Sequence, residues 1–190
     1  MKRTRDKMRW KLLAREYIFR KPPWLTIRHD QLELPNGNIL PEYYVLEYPD
    51  WVNVIPITED GRFVMVTQYR HGLEKILTEL PAGVLEKKDT TPLDGAKREL
   101  LEETGYGGGE WQLLTQLSSN AANTNNITHC FLARGVKRIG SQHFDPGEDI
   151  QWGLYTEEEV KGMLMRDEFV ESLMAAPLWK YFSLKAANKL

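Results

Sequence analysis

The sequence predicts an α+β domain built on a mixed sheet, and three observations predict it. Short aromatic and β-branched runs, separated by turn residues, fill the first eighty positions. One capped helix interrupts them, strands resume, and two helical stretches follow. The length of 190 residues allows one substantial core, and 42% hydrophobic with 27% charged residues is ordinary globular composition.

Residues 17–20 and 24–34 carry the side chains that favour strands. Pro35-Asn36-Gly37-Asn38 follows. Asn-Gly suits a turn whose two central residues both take positive φ, so a hairpin is expected to return through 39–48. Residues 51–58 and 63–69 form a second pair around Glu59-Asp60-Gly61, and 76–80 is a short strand running into Pro81-Ala82-Gly83. Thr91 can cap the first helix, with Pro92 at its first position, Asp94 where a capping-box acid sits and Gly105 as its stop. Gly107-Gly108-Gly109 reads as a flexible connection, and strands are expected over 111–117, 127–133 and 150–155. Thr156 caps a helix whose first turn holds Glu157, Glu158 and Glu159, which suits the positive end of the helix dipole. A last helix is expected over about 169–187, with a bend at Pro177.

Lys and Arg total 25 against 27 Asp and Glu, so no net field gathers nucleic acid and phosphate recognition has to be local. Residues 1–11 are basic with no apolar run behind them, which reads as a solvated start rather than a signal peptide. No run of about eighteen apolar residues occurs, so no membrane span is expected. Cys130 is the only cysteine and sits in an apolar stretch. It reads as core, and the cytoplasm is the expected compartment. His29, His71, His129 and His143 are scattered without zinc spacing.

The informative stretch is the first helix. At roughly 100° per residue, Glu99, Glu102 and Glu103 share an arc about 100° wide, while Leu93, Ala96, Leu100 and Thr104 form a neighbouring arc that can face a sheet. Three crowded carboxylates repel one another unless a cation sits between them, and such hard ligands suit Mg²⁺ or Mn²⁺. Taken alone, a Glu-rich helix face is usually just solvated.

The context changes that reading. Glu79-Leu80-Pro81-Ala82-Gly83, a loop, and then Arg98-Glu99-Leu100-Leu101-Glu102-Glu103-Thr104-Gly105 resemble the Nudix box, a glycine and spaced acid followed by Arg-Glu-aliphatic-x-Glu-Glu-x-Gly. The leading Glu-Leu-Pro-Ala-Gly is similar to the ADP-ribose pyrophosphatase branch. The resemblance implies a Nudix-like α/β/α sandwich with a mixed sheet over 51–190. An N-terminal antiparallel β-hairpin subdomain, 1–50, would precede it and serve dimerisation and base binding. It further implies Mg²⁺-dependent (or Mn²⁺-dependent) hydrolysis of a nucleoside diphosphate joined to another group, with ADP-ribose giving AMP and ribose 5-phosphate as the leading case. GDP-sugars and other nucleoside diphosphate derivatives are the alternative. A further alternative is a nucleotide-sugar sensor without hydrolysis, but such proteins usually lose the box glutamates that this chain keeps.

The same resemblance implies roles. Glu99 and Glu103, one turn apart, would be the principal metal ligands, with Glu102 as a further ligand or a base and the Ala82 carbonyl as another ligand. Arg98 would point away from the metals and tie the loop to the helix. Glu148, in Asp145-Pro146-Gly147-Glu148-Asp149, would be general base or outer ligand. Arg70 would reach a phosphate, since its fork makes two parallel bonds, with a surface salt bridge as the other reading. Glu79 is grouped with it in substrate binding. Trp24 would stack on the base, a task open equally to Tyr17, Phe19 and Tyr43.

Two departures stand out. Asp89 lies six residues after Gly83, but Arg98 is nine after Asp89, so the loop is one residue longer than the family spacing and its usual Glu is an Asp. In the family that acid mainly braces the arginine. The proline common after the box in the ADP-ribose branch is missing from Ser118-Ser119-Asn120-Ala121-Ala122-Asn123. A homodimer is the expected assembly, because an isolated hairpin is marginal in water and Trp24, Leu34, Ile39 and Tyr43 need a surface to cover.

Overall fold

A computed structural model describes residues 4–144 and 147–190. The chain folds as two units, Met1–Pro49 with Asn120–Asn126, and Asp50–Ser119 with Ile127–Leu190.

The first unit begins with a 3-10 turn, Arg5–Met8, and continues into β1 (Lys11–Lys21), β2 (Leu25–Glu33) and β3 (Ile39–Glu47). These make an antiparallel sheet in the order β1-β2-β3. The Asn-Gly turn differs from expectation, because only Gly37 takes positive φ. Asn36 instead accepts from the Asn38 amide through its side chain at 3.0 Å, while Leu34 N–H donates to Asn38 O at 2.9 Å, so the reversal is spread over 34–38. Asn120–Asn126, which holds most of the stretch that lacks proline, joins this unit. Leu46 N–H donates to Asn123 O at 2.7 Å, and Tyr43 donates its hydroxyl to Ala122 O. A buried acid ties β2 to β1: Asp30 accepts from Arg15 at 2.8 and 3.0 Å and also pairs with Arg28 on its own strand. Burial alone would raise the Asp30 carboxyl, but the two guanidiniums hold it below its ordinary value.

The second unit contains β4 (Trp51–Thr58), β5 (Phe63–Arg70), β6 (Lys75–Glu79), β7 (Ala82–Val84), α1 (Pro92–Thr104), β8 (Tyr106–Gly107), β9 (Glu110–Leu117), β10 (Thr128–Arg138), β11 (Ile150–Tyr155), α2 (Glu157–Met165) and α3 (Ser172–Ala186). Its sheet runs β11-β5-β4-β10-β8, with β6 beside β5, β7 beside β4 and β9 beside β10. β4 and β10 are parallel and the other pairings antiparallel, so the sheet is mixed.

Both faces of this sheet are covered, which is why β4 reads as an almost unbroken apolar run. Val52, Val54 and Val64 pack with Ala96 and Leu100 of α1. Ile55, Ile57, Phe63 and Met65 pack with Val160 and Leu164 of α2 and Leu178 of α3. The architecture is the expected α/β/α sandwich. β7 and β8 were not expected; each is too short to show a period, and β8 takes Gly107 out of the glycine connection. α3 starts at Ser172 rather than near 169, with Glu171 still extended ahead of it and Phe169 buried in the core cluster. Among the described residues no helix is long and apolar enough to cross a membrane.

Candidate active site

The site is built around α1. Thr91 caps it by accepting from the Asp94 amide at 3.2 Å, and Asp94 accepts from the Thr90 and Thr91 hydroxyls at 2.6 and 2.8 Å. Gly105 closes the helix in the left-handed conformation at φ 75°. Ala96, Leu100 and Thr104 face the sheet, and the same rotation carries Glu99 and Glu103 inward, at 8% and 3% exposure. Glu102 faces further outward.

β7 pairs with β4, Ala82 opposite Asn53, and so lies alongside these acids. The Ala82 N–H donates to Glu103 Oε2 at 3.0 Å. Gly83 lies so near Glu99 that any Cβ there would fall 2.1 Å from its carboxyl carbon. Burial pushes the Glu99 carboxyl up to about 7, with repulsion from Glu102 and Glu148 working against the pull of Arg98. Burial pushes Glu103 up well beyond its ordinary value, and Glu99 and Glu148 add to that.

Arg98 is held from two sides. Its Nε and Nη2 donate to the two Asp89 oxygens at 3.0 and 2.8 Å, and Nη2 also to Val84 O at 3.0 Å. Asp89 therefore braces the arginine, which holds its carboxyl below the ordinary range. Asp89 itself closes a turn in which its N–H donates to Glu86 O and its side chain accepts from Glu86 N–H. The expected orientation of Arg98 needs correcting, however. Nη1 donates to Glu99 and Glu102 at 2.8 and 2.9 Å, so one edge of the guanidinium faces the acids. Charge balance explains it, because three neighbouring carboxylates attract the nearest cationic fork.

Across β5 and β6, Arg70 grips Glu79 through Nε at 2.9 Å and Nη2 at 2.8 Å. Glu79 is only 1% exposed and also receives Gln68 at 3.3 Å, so any part it has in binding runs through Arg70. A cavity of about 500 Å³ opens beside this pair, lined among others by Trp51, Asn53, Arg70, Ala82, Gly83 and Glu171.

The family described as the NUDIX domain matches residues 47–174, most of the chain. This chain belongs to the Nudix hydrolases. Ahead of the Nudix domain, residues 10–46 match the nucleoside diphosphate sugar hydrolase N-terminal domain. The chain is 32% identical over 152 residues to an ADP-ribose pyrophosphatase of Mycobacterium tuberculosis, covering 80% of this chain and 73% of that one. It is 30% identical over 178 residues to an ADP-ribose pyrophosphatase of Bacillus subtilis, covering 93% and 94%. A methanol dehydrogenase activator of Bacillus methanolicus is 39% identical over 114 residues, 60% of each chain. The crystal structure of an ADP compounds hydrolase superposes with a TM-score of 0.81 at 20% identity, over 95% of this chain and 97% of that one, a likeness of fold.

In Nudix terms, the box runs from Gly83 to Tyr106, and with the preceding Ala82 it brings Glu99, Glu102, Glu103, Asp89 and Arg98 together. Among the described residues, no three His, Cys, Asp or Glu side chains are already gathered as a cation cage. The donor set still suits a hard divalent ion: two buried carboxylates repel each other, and only a glycine leaves room beside one of them. Glu148 lies on the surface and its charge acts on both Glu99 and Glu103, while Asp145 and Pro146 of the same acidic run lie outside the described residues. Trp24 is not in a strand as expected. It sits in the turn between β1 and β2 and is 73% exposed. Cys130 is buried on β10, as expected of core, and burial pushes its thiol up to about 12.

Sequence reasoning missed two residues. Glu171 stands at the start of α3 without capping it, and burial followed by the Glu79 charge pushes its carboxyl up. A glutamate where a helix would prefer Ser, Thr or Asp was the available signal. Gln142 bonds to the end of α1, and a lone glutamine in a loop gave no signal at all.

Proposed function

We propose that this Nudix hydrolase splits the diphosphate of ADP-ribose into AMP and ribose 5-phosphate with a divalent cation, Mg²⁺ or Mn²⁺. The observation that carries the reading is the Glu99 and Glu103 pair, buried one turn apart beside Gly83 and the Ala82 amide. Two relatives called ADP-ribose pyrophosphatase, at 32% and 30% identity, support the substrate.

Glu99, Glu103, Glu102 and the Ala82 carbonyl would hold the cation. When bound, it would draw charge from the diphosphate and make water a better nucleophile there. Glu148 takes the proton from the water that attacks phosphorus, and the phosphorus–oxygen bond to the leaving phosphate breaks. Arg70, already held by Glu79, presents the rest of its guanidinium to a phosphate oxygen. Arg98 steadies the box and balances its charge. Trp24, on its exposed turn, offers a flat face to the base.

The assembly is a homodimer, supported by β1, whose eleven residues are all exposed and include Leu12, Leu13, Tyr17, Ile18 and Phe19. Residues 1–50 serve dimerisation and base binding, and 51–190 carry the chemistry. The cytoplasm is the proposed compartment, and neither nucleic acid nor membrane is a partner. One observation favours a second reading: the N-terminal match to nucleoside diphosphate sugar hydrolases supports a GDP-sugar or related substrate.

Incubation with Mg²⁺ and ADP-ribose, GDP-mannose, NADH or diadenosine polyphosphates separates these readings. ADP-ribose should turn over best. GDP-mannose in first place selects the second reading, and no hydrolysis of any compound removes both.

A further inference from the structure

The carbonyls at the end of a helix have no partners within it and are normally satisfied by the residues that follow directly. In α1 the Gly105 N–H takes the Leu101 carbonyl, but a distant segment takes those of Glu102 and Glu103. Gln142 Nε2 donates to Glu103 O at 2.6 Å, and His143 N–H donates to Glu102 O at 2.9 Å. Ile139 and Gly140 both donate to Gly105 O, at 2.9 and 3.1 Å. The approach is close enough that a Cβ on Gly105 would lie 2.5 Å from Gly140 O. The docking is therefore built into the backbone of both partners.

Gln142 has a second attachment. Its Nε2 also lies 3.4 Å from the carbonyl of Ile150, the first residue of β11 and two positions after Glu148. One amide thus bridges the peptide of an acid on α1 to the strand that follows the outlying acid. The repulsion that Glu148 exerts on both Glu99 and Glu103 agrees with that placement.

We propose that Gln142 is a positioning residue that sets Glu148 against the Glu99 and Glu103 pair, an inference that rests on the assignment of Glu148 as general base. The side chain acts through the backbone on both sides. It touches neither substrate nor the reacting atoms. A shorter or donor-free side chain leaves the helix end tethered by His143 and Gly140 but frees the stretch that carries Glu148.

The test uses full-length Gln142→Ala and Gln142→Met, alone and combined with Glu148→Gln, assayed on ADP-ribose with Mg²⁺. Each single Gln142 variant should lose about tenfold in kcat with KM within about twofold, as expected when only transition-state interactions weaken. In the Glu148→Gln background the further loss should shrink to less than about twofold, because the group being positioned is gone. An equal loss in both backgrounds, or a normal kcat in both Gln142 variants while Glu148→Gln is impaired, overturns the proposal alone. Full activity of Glu148→Gln takes Glu148 out of the reaction and the proposal with it. Amide hydrogen exchange on the same proteins needs no substrate. It should speed up over 147–150 while α1 stays protected, and unchanged exchange overturns the proposal even if ADP-ribose is not the substrate. Failure of both Gln142 variants to fold also overturns it, since the residue would then be structural only.

Discussion

Gly83 and Glu99 meet without room for a methyl group between them: a Cβ on Gly83 would lie 2.1 Å from the Glu99 carboxyl carbon and 2.1 and 2.4 Å from its oxygens. The clash falls on the far end of a flexible side chain, so Gly83→Ala should cost the fold little. It has to move that carboxylate, and the carboxylate is what the proposed chemistry uses. Turnover should drop at least about 100-fold while the melting temperature shifts by only a few degrees. An active Gly83→Ala protein would mean that Glu99 is free to sit elsewhere.

Glu103→Gln separates function from stability in another way. Burial disfavours the charged form of Glu103, so the neutral amide should leave stability unchanged or raise it. The charge offered to a cation is lost, and kcat should fall at least about 100-fold. Paired melting curves and steady-state rates in Mg²⁺ provide the check. Near-normal activity with the usual Mg²⁺ dependence would show the metal site to be misplaced.

The first unit has its own pH signature. Asp30 is held below its ordinary value by Arg15 and Arg28, against the effect of burial. A depressed carboxylate adds stability that is fully present above the unfolded value, about 4, and disappears as pH falls through the lower folded value. Asp30→Asn should therefore lower stability by about 1–3 kcal/mol at pH 7, because two guanidiniums lose their charged acceptor. The gap between variant and wild type should narrow on acidification below pH 4. A gap that stays constant down to pH 3 would exclude Asp30 as its source.

Oligomeric state tests the role given to β1. The full chain should scatter light as a dimer at micromolar concentration, and a chain lacking 1–50 should lose dimerisation and substrate affinity together. A monomeric, fully active full-length protein would defeat that assignment.

What the sequence made legible was local. The box spans 83–106, its cap uses adjacent side chains, and the inward rotation of Glu99 and Glu103 follows from helical spacing. Long-range choices were not legible. Gln142 reaches Glu103 across 39 positions, and the second edge of Arg98 settled on Glu99 and Glu102 through a charge balance that exists only once the acids are assembled. The Asn36-Gly37 pair suits several loops, and the pairing of β2 with β3 selected the longer one. Trp24 looked like strand from its neighbours, yet Pro22 and Pro23 cannot donate to a ladder, and the chain turns there.

Cys130 has a practical consequence. At pH 8 a thiol held near 12 is ionised to roughly one part in ten thousand, and the side chain is sealed inside the second unit. Alkylating reagents and mild oxidants should pass the native protein by. Because no other cysteine is present, a cysteine introduced on the surface, at Trp24 or on β1, becomes the single reactive handle in the molecule. Fluorophores or spin labels attached there can follow the exposed strand with no need to strip out a background thiol.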